Sequence, residues 1–359
     1  MSNEIHMIGG GFYNANSSPQ RDALLSFLPI LESSLPDLPV DSSGPIRLMD
    51  VGSSEGGNAI VAQTRIINQV RCLTDRPIQP ILCDLPGNDF TQVFLNLFPN
   101  GKCVFDGGNV YPTATAGSAY GRLVPDESVD VVTTFNMLGW LSHVPDTRLR
   151  GTIISDTPSP YAKGRGEPVH PEDLKPVQAI GQQDLRDFFT ARAQELKPGG
   201  FLLAQTFGRL GENSTAHGSF DSLNDSFVDL VNEGVLTREA YDYLIYPTIF
   251  RDLEDFVAPL KEDAYLRDSF EIVSAETIES PIAFNLEFKK TGDVVTWAHK
   301  FSNFVRAYSE PAIQSKLPKD LDRAAITDRL FQRQVERMIE DPERYTLRYI
   351  SVGVLLRKK

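Results

Sequence analysis

The feature that most constrains this chain is a glycine-rich loop between a short apolar strand and a helix. Residues 46–51 read as a buried strand, and the loop Gly52-Ser53-Ser54-Glu55-Gly56-Gly57 follows at once. Glycines tolerate the positive φ angles that a tight turn into a helix requires. Apolar residues at helical spacing then run to about Leu73, and a second strand is predicted at 79–84. Together these elements form a βαβ unit, which indicates a parallel sheet.

Strands and helices keep alternating through the first two thirds of the chain. Further strands are predicted at 102–105, 129–135 and 201–206. A helix carrying Phe188 and Phe189 is expected to stop at the turn Lys197-Pro198-Gly199-Gly200. This repetition predicts a mostly parallel sheet with helices on both faces and a ligand crevice at the carboxyl ends of the first strands.

The last third of the chain has a different pattern. Residues 221–259 and 294–339 are predicted to be helical, and the first of these stretches is expected to form a cap over the crevice. Residues 270–280 and 347–356 alternate apolar and polar side chains, which indicates a hairpin-like pair at one side of the sheet. The proline-rich stretch 156–176 is predicted to be a surface loop, either a lid or a plain insertion.

Charge and composition narrow the class of protein. The chain has 35 Lys and Arg against 48 Asp and Glu, and the resulting net charge of −13 disfavours nucleic acid as a partner. No stretch approaches the roughly 18 consecutive apolar residues of a membrane span, so a cytoplasmic protein without a membrane partner is predicted. The three cysteines show no metal-binding spacing, and buried free thiols are expected.

The acidic residues around the glycine loop indicate its ligand. The spacing is not Gly-x-Gly-x-x-Gly, and Asp50 and Glu55 would repel a pyrophosphate, which disfavours a nicotinamide-dependent oxidoreductase. They suit a ligand with an ammonium and a sulfonium group, which describes S-adenosylmethionine (SAM). Asp84, at the end of the second strand, is placed to accept ribose hydroxyls. The alternative is that Asp50 and Asp84 merely cap helices.

A series of motifs runs in order along the whole chain. It includes Asp84-Leu85-Pro86-Gly87-Asn88-Asp89-Phe90, Gly117-Ser118-Ala119-Tyr120-Gly121-Arg122-Leu123 and Trp140-Leu141-Ser142-His143-Val144-Pro145, with further matches at 6–7, 13–20, 50–54, 192–200 and 306–311. This series resembles the SABATH family of carboxyl and N-methyltransferases, which act on salicylate, benzoate, jasmonate and theobromine.

The resemblance implies an α/β fold with a class I methyltransferase Rossmann-like sheet, mostly parallel with an antiparallel last strand, plus an α-helical cap. It places the SAM-binding core at 1–210, the cap at 211–268 and 291–343, and returning strands of the sheet at 269–290 and 344–359. It also implies a homodimer.

The resemblance assigns site residues as well. It implies that the methyl donor is bound by Ser17, Gln20, Asp50, Gly52, Asp84, Leu85, Ser118, Ala119 and Phe135. It implies that the acceptor is bound by Tyr13, Gln20, Gly139 and Trp140. Ala119 stands where the family commonly has Phe beside the adenine, so Phe135 is the alternative stacking partner. Gly139 stands where a bulky residue usually borders the substrate.

The implied activity is SAM-dependent O-methylation of a small carboxylic acid, with S-adenosylhomocysteine as the other product. A carboxylic acid has a pKa of about 4 and is ionised at neutral pH, so no general base is needed. Gln20 and Trp140, the implied catalytic residues, are neutral donors able to orient the carboxylate. Each could instead have a purely structural role. Gln20 could simply follow the start of a helix, and Trp140 could belong to the hydrophobic core. Magnesium is not expected, because the stretch Asp242-Tyr243-Leu244-Ile245 lacks the Asn found at that site in some members.

Several alternatives stay open from the sequence. They are N-methylation of a xanthine-like heterocycle and a non-catalytic SAM-binding partner protein. Gly139 suggests an acceptor pocket that is roomier or differently shaped than one for salicylate. Positive charge from Lys163, Arg165, His170 and Arg209 would favour a dicarboxylic acid.

Overall fold

A computed structural model describes residues 7–40, 43–105, 108–145, 147–149, 152–154 and 171–359 of the chain. The strands are β1 Ile46–Val51, β2 Ile78–Asp84, β3 Thr113–Ala116, β4 Val129–Phe135, β5 Leu196–Phe207, β6 Arg209–Leu210, β7 Asn213–Ser214, β8 Phe270–Ser280 and β9 Tyr349–Lys358. The helices are α1 Phe12–Asn16, α2 Ser18–Ser34, α3 Gly57–Arg71, α4 Phe90–Leu97, α5 Pro171–Glu195, α6 Ser219–Asn232, α7 Arg238–Asp242, α8 Leu253–Glu262, α9 Ala264–Ser269, α10 Ala283–Thr291, α11 Val294–Lys316 and α12 Arg323–Glu340.

The centre of the molecule is a mixed sheet, seven-stranded in the described part of the chain, with the order β3-β2-β1-β4-β5-β9-β8. The first five strands pair in parallel. β9 is antiparallel to β5, and β8 is antiparallel to β9 at the edge. The predicted class, a mostly parallel sheet that ends in an antiparallel pair, is confirmed.

The third strand lies elsewhere than predicted. Residues 102–105 form no strand, because Val104 donates to Leu97 O and Phe105 turns into the core. The strand at this edge is β3, which has the composition Thr-Ala-Thr-Ala and lies partly exposed beside β2. A short edge strand buries little apolar surface, so no hydrophobic run marks it in the sequence.

Three boundaries also differ from the predictions. The expected turn at 197–200 lies inside β5, which starts directly after α5. The predicted helix 221–259 is split, and residues 243–252 have no regular helix. Residues 171–176, predicted as loop, belong to α5, while the rest of the predicted loop, 155–170, lies outside the described residues.

Three hydrophobic clusters account for the layers. On one face of the sheet, α2 and α3 pack Phe27, Leu31 and Ile66 against the strands. On the opposite face, α5, α8 and α9 contribute Phe189 and Phe256. A third cluster joins α6, α10, α11 and α12 into a cap with its own core. These contacts place α8 and α9 with the sheet, although the implied cap range includes them; the exact division of the chain stays a prediction.

None of the helices in the described part of the chain is long and apolar enough to cross a membrane.

Candidate active site

The carboxyl ends of the parallel strands and the cap enclose a cavity of about 390 Å³. A smaller pocket lies beside it and includes Asp50, Ser53 and Asn58. The residues that line both spaces are Tyr13, Gln20, Gly52, Ser54, Phe135 and Asn136. The crevice is therefore at the predicted edge of the sheet.

The glycine loop is fixed against the end of β2. The backbone N–H groups of Gly52 and Ser53 donate to Cys83 O at 2.8 and 3.0 Å. Gly52 has a φ of 85°, and an added Cβ would lie 2.6 Å from the Met137 side chain, so glycine is required there. Ser54 N donates to Asp84 Oδ2 at 2.6 Å, which holds that carboxylate at the loop.

Asp50 is a buried carboxylate without a cation in the described part of the protein. Its side chain accepts a hydrogen bond from Thr133 Oγ1 at 2.6 Å. Burial and the nearby charge of Asp84 raise the pKa of Asp50 to about 7, although the Thr133 hydrogen bond opposes the shift. The helix-capping alternative has no support, because the residue at the N-cap of α3 is Gly56 and that at the N-cap of α4 is Asp89.

The structure corrects the interpretation of Glu55. Its buried carboxylate accepts the backbone N–H groups of Gly11 at 2.6 Å and Asn14 at 3.1 Å. It therefore holds the first turn of α1 and lines neither cavity. Its charge cannot be counted as facing the ligand.

The site residues predicted on and between α1 and α2 differ in whether they line the cavity. Gln20 is 6% exposed, and its Oε1 has no hydrogen-bond partner among the described residues. Tyr13 lines both spaces, and burial together with Asp84 and Glu55 raises the pKa of its phenol. Ser17 lines neither space; it accepts from Asn58 Nδ2 at 3.2 Å and joins α2 to α3.

The predicted residues Leu85, Ser118, Ala119 and Phe135 line the larger cavity. A buried arginine holds one of them: Arg192 Nη1 donates to Ala119 O at 3.0 Å. Its Nη2 donates to Gly121 O at 2.8 Å, and its Nε pairs with Glu195 at 2.6 Å. The 192–200 motif thus holds the loop that carries Ser118.

Trp140 lines the cavity on a segment that is held at three consecutive carbonyls. Arg251 Nη1 donates to Leu138 O at 2.7 Å, and Thr248 Oγ1 donates to Gly139 O at 2.9 Å. The Tyr120 hydroxyl donates to Trp140 O. The indole also packs against Tyr246, with ring centroids 5.4 Å apart. Trp140 therefore packs on the cap and faces the cavity at once.

Gly139 adds no extra room to the pocket, so of the two alternatives the roomier pocket is wrong and the differently shaped one stays a prediction. An added Cβ would lie 2.1 Å from Cζ of Phe207, so the Phe207 ring already occupies that space. Gly139 does not line the cavity, whereas Phe207 does. Phe207 in turn packs against Phe250, with ring centroids 4.9 Å apart.

The cap side of the cavity is aromatic, as far as the described residues line it. Its rings belong to Phe207, Phe220, Tyr246, Phe250, Phe304, Tyr308 and Tyr349. Burial raises the pKa of Tyr246, Tyr308 and Tyr349, so these phenols are neutral. Among the described lining residues there is no Lys, Arg or His. Arg209 lies outside the cavity and pairs with Asp255 at 3.4 Å.

The other predicted charges cannot be placed, since Lys163, Arg165 and His170 lie outside the described residues. The described part of the chain has no group of three or more His, Cys, Asp or Glu side chains suited to a metal ion. Asp242, at the expected magnesium segment, pairs with Arg238 at 2.9 Å. Of the three free cysteines, Cys83 is buried as expected, but Cys72 is exposed and Cys103 is partly exposed.

Sequence reasoning missed several residues of the site. They are Asn136, Phe207, Phe220, Tyr246, Thr248, Phe250, Arg251, Phe304, Tyr308 and Tyr349. Asn136 and Phe207 had a local signal, because each directly follows a predicted parallel strand at the carboxyl edge of the sheet, and Tyr308 lies in the 306–311 motif. The others come from the cap and from distant segments, and only the fold brings them together.

Comparisons with known proteins agree with this geometry. A family model described as "SAM dependent carboxyl methyltransferase" matches residues 2–359. The chain is 27% identical to salicylate carboxymethyltransferase of Clarkia breweri, over 99% of this chain and 98% of that protein. It is 26% identical to gibberellic acid methyltransferase 2 of Arabidopsis thaliana, over 92% of this chain and 87% of that protein.

Among solved structures, a loganic acid methyltransferase with S-adenosylhomocysteine superposes with a TM-score of 0.79. It is 22% identical, and the match covers 98% of both chains. At that identity the superposition shows the fold, including the cap.

Proposed function

Because the chain belongs to the SABATH family of SAM-dependent carboxyl methyltransferases, we propose that it esterifies a small monocarboxylic acid with an apolar or aromatic body. The family assignment establishes an enzyme that methylates a carboxylic acid with S-adenosylmethionine, and S-adenosylhomocysteine is the co-product. The proposal concerns the chemical class of the acid and the roles of individual residues.

The observation that carries this proposal is the cap side of the cavity, which is aromatic and to which the described residues contribute no cation. A second ionised carboxylate there would be buried without a charged partner, which costs several kcal/mol. Aromatic rings instead favour an apolar body. The dicarboxylic acid hypothesis thus loses the support of Arg209, and no described residue replaces it.

The described residues fit the methyl donor. When bound, S-adenosylmethionine supplies an electrophilic methyl group on a sulfonium. Asp50 offers a buried carboxylate to its cationic part, and Gln20 Oε1 is a buried acceptor without a protein partner. Asp84, held by Ser54 N and Leu85 N, would accept from ribose hydroxyls. Phe135, which lines both spaces, is the better candidate than Ala119 for contact with the adenine.

The remaining task of the protein is to orient an acid that is already ionised. We assign this to the Gln20 amide and the Trp140 indole N–H, which line the same cavity. Neutral donors can align a carboxylate oxygen without neutralising it as a cation would. The three held carbonyls at 138–140 keep the indole in place before the acid binds.

A labelled methyl-transfer assay tests the proposal. Purified protein is given S-adenosylmethionine with a radioactive methyl, and a panel of aromatic and aliphatic monoacids, diacids of matched size and xanthines. We expect ester formation with monoacids only. Equal turnover of matched diacids would contradict the acceptor class. Transfer to xanthines alone would point to the N-methyltransferase alternative, and binding without any transfer would point to a non-catalytic partner protein.

Two variants test the residue roles. Trp140→Phe keeps a ring against Tyr246 but removes the indole N–H, and Gln20→Ala removes the amide. Each should lower kcat/KM for the acid by about 10- to 100-fold, the effect of one lost hydrogen bond to a charged group. Trp297→Phe, the same change at a buried tryptophan that pairs with Asn285 away from the cavity, is the matched control.

We further propose a homodimer that works in the cytoplasm in secondary metabolism, without nucleic acid or membrane as partner. The family resemblance supports the dimer, and the net charge of −13 disfavours nucleic acid. Light scattering after gel filtration would report twice the chain mass of 39.9 kDa for a dimer.

A further inference from the structure

Asn136 is a polar residue that lines the cavity and is not among the residues assigned to the methyl donor or to the acid. We infer that its side-chain Nδ2 group donates a hydrogen bond to the carboxylate of the acceptor acid, as a third neutral donor beside Gln20 and Trp140. This inference rests on the proposed function. Asn136 follows β4 directly and lines both the larger cavity and the smaller pocket.

The backbone at Asn136 directs the side chain away from the strand. Its φ is 61°, in the left-handed region, which Asn adopts more readily than most other residues with a side chain. Its N–H donates to Gln205 O at 2.9 Å, which keeps the residue attached to β5. A strained position held in this way at a ligand crevice is typical of a functional residue.

Two neighbouring strands fix which end of the amide faces the cavity. Asn136 Oδ1 accepts from the Tyr349 hydroxyl at 3.0 Å and from Gln205 Nε2 at 3.2 Å. Gln205 Nε2 also donates to Ser351 Oγ at 2.8 Å. Both acceptor sites of Oδ1 are thereby used. Nδ2 donates in none of the hydrogen bonds of the described residues, and unlike Gln20 Oε1 it is not sealed inside the protein but open to the cavity that Asn136 lines.

The chemistry of the surrounding residues indicates an anion as the missing acceptor. The two neutral N–H groups of Nδ2 are available to a ligand in the cavity, and a carboxylate is the strongest acceptor that the substrate brings. Asp84 lines the same cavity and would repel that carboxylate. Because no described lining residue is a cation, neutral donors must hold the acid, and Asn136 supplies one from the end of β4.

Asn136→Asp is the test. The change is isosteric and keeps an oxygen for Tyr349 and Gln205, but it replaces Nδ2 with a carboxylate oxygen aimed at the acid. We expect kcat/KM for the acid to fall by at least about 100-fold, since a lost donor is compounded by repulsion. The affinity for S-adenosylmethionine, measured by calorimetry, should change by less than about threefold. Asn136→Ala, without the added charge, should lose about tenfold in kcat/KM.

Asn68→Asp makes the same change on the exposed face of α3 and controls for charge alone. An Asn136→Asp protein with native melting temperature and undiminished kcat/KM would overturn the inference while wild-type transfer upholds the proposed function. A change in the affinity for S-adenosylmethionine alone would also overturn it, because Oδ1 would then face the donor. Wild-type protein that methylates no acid would overturn both.

Discussion

At the scale of single residues, the site combines two buried carboxylates that protein groups hold in place with one polar atom that has no partner in the described part of the chain. Thr133 donates to Asp50, Ser54 N donates to Asp84, and Gln20 Oε1 is the atom without a described partner. Buried polar groups are normally hydrogen-bonded, so such exceptions mark places where a ligand completes the network. Glu55 differs from these groups, because its carboxylate holds two N–H groups at α1 and lines neither cavity; Ser17 also lines neither, and its role in donor binding stays a prediction.

If Asp50 pairs with the methyl donor as proposed, the affinity for that donor should depend on pH. Its pKa is about 7 in the free protein, so below that pH it is mostly protonated and cannot pair with a cation. We expect the Kd of S-adenosylmethionine to rise up to about tenfold per pH unit below 7 and to level off above it. Calorimetry between pH 5.5 and 8.5 measures this, and Asp50→Asn should weaken binding and flatten the profile.

The same residue links pH to stability. In the unfolded chain Asp50 titrates near 3.8, so between about pH 4 and 7 the folded state binds more protons than the unfolded state. Its contribution therefore makes the free protein less stable as pH rises through that window. Thermal unfolding of Asp50→Asn should lack this component, whereas an unchanged profile would show that Asp50 is ionised throughout.

Phe207 sets the size of the acceptor pocket through its contact with Gly139. Gly139→Ala should force the Phe207 ring to move, at a cost of about 1–3 kcal/mol in stability, with loss of transfer to aromatic acids. Adding Phe207→Leu should recover the stability and shift the preference toward bulkier acids. A melting temperature and an acid preference that stay unchanged in Gly139→Ala would contradict this packing. The double variant serves as the internal control.

At the scale of elements, two irregular segments organise the site. The glycine loop connects β1 to α3 and collects Asp84 from β2 through a backbone hydrogen bond. The segment 138–142 carries Trp140. Its carbonyl groups accept hydrogen bonds from the side chains of Tyr120, Thr248 and Arg251. Rigid strands thus position loops whose own conformations are fixed by side chains, as is common for catalytic sites.

Glu55 joins the N-terminal helix to the glycine loop. Glu55→Gln keeps the shape but replaces one acceptor oxygen with a donor group, so it should lose one of the two bonds to α1. Since α1 carries Tyr13 and leads to Gln20, we expect weaker donor binding, by about 10-fold, and faster proteolysis near residues 9–17. Glu239→Gln, in the first turn of α7, should have neither effect. Native protease resistance would show that α1 is held otherwise.

At the scale of the whole molecule, the cavity lies between the carboxyl edge of the sheet and the helices of the cap. The sheet with α2, α3, α5, α8 and α9 supplies the acidic and glycine-rich side, whereas α6 and α11 of the cap supply Phe220, Phe304 and Tyr308. Acceptor binding should thus be more sensitive than donor binding to changes in the packing of the cap.

Replacement of Asp229 tests whether the packing of the cap affects acceptor binding more than donor binding. It accepts hydrogen bonds from Arg333 Nε and Arg337 Nε, both at 2.6 Å, and so joins α6 to α12. Although burial opposes the shift, these bonds lower the pKa of Asp229. Its stabilising contribution is therefore present above about pH 4 and is lost as pH falls through the lowered pKa.

Asp229→Asn should lower the melting temperature at neutral pH by about 2–4 °C, with a smaller difference in acid. It should also raise KM for the acid more than the Kd of S-adenosylmethionine. Asp268→Asn, at an exposed position on α9, is the matched control. Equal losses in both affinities would show that cap and sheet respond as one body.

The sequence by itself determined the βαβ start, the mostly parallel sheet and the acidic loop, because strand burial and glycine turns leave local patterns in the chain. It also indicated Asp50, Asp84, Gln20 and Trp140 through motifs. It missed β3, which buries too little apolar surface to leave such a pattern. It also did not indicate that the side chain of Phe207, 68 residues away, fills the space beside Gly139. Only the tertiary structure decided which buried side chains in its described part have a polar atom without a hydrogen-bond partner in the protein. Partners such as Tyr349 for Asn136 and Gly11 for Glu55 are distant in sequence, and no local pattern records such contacts.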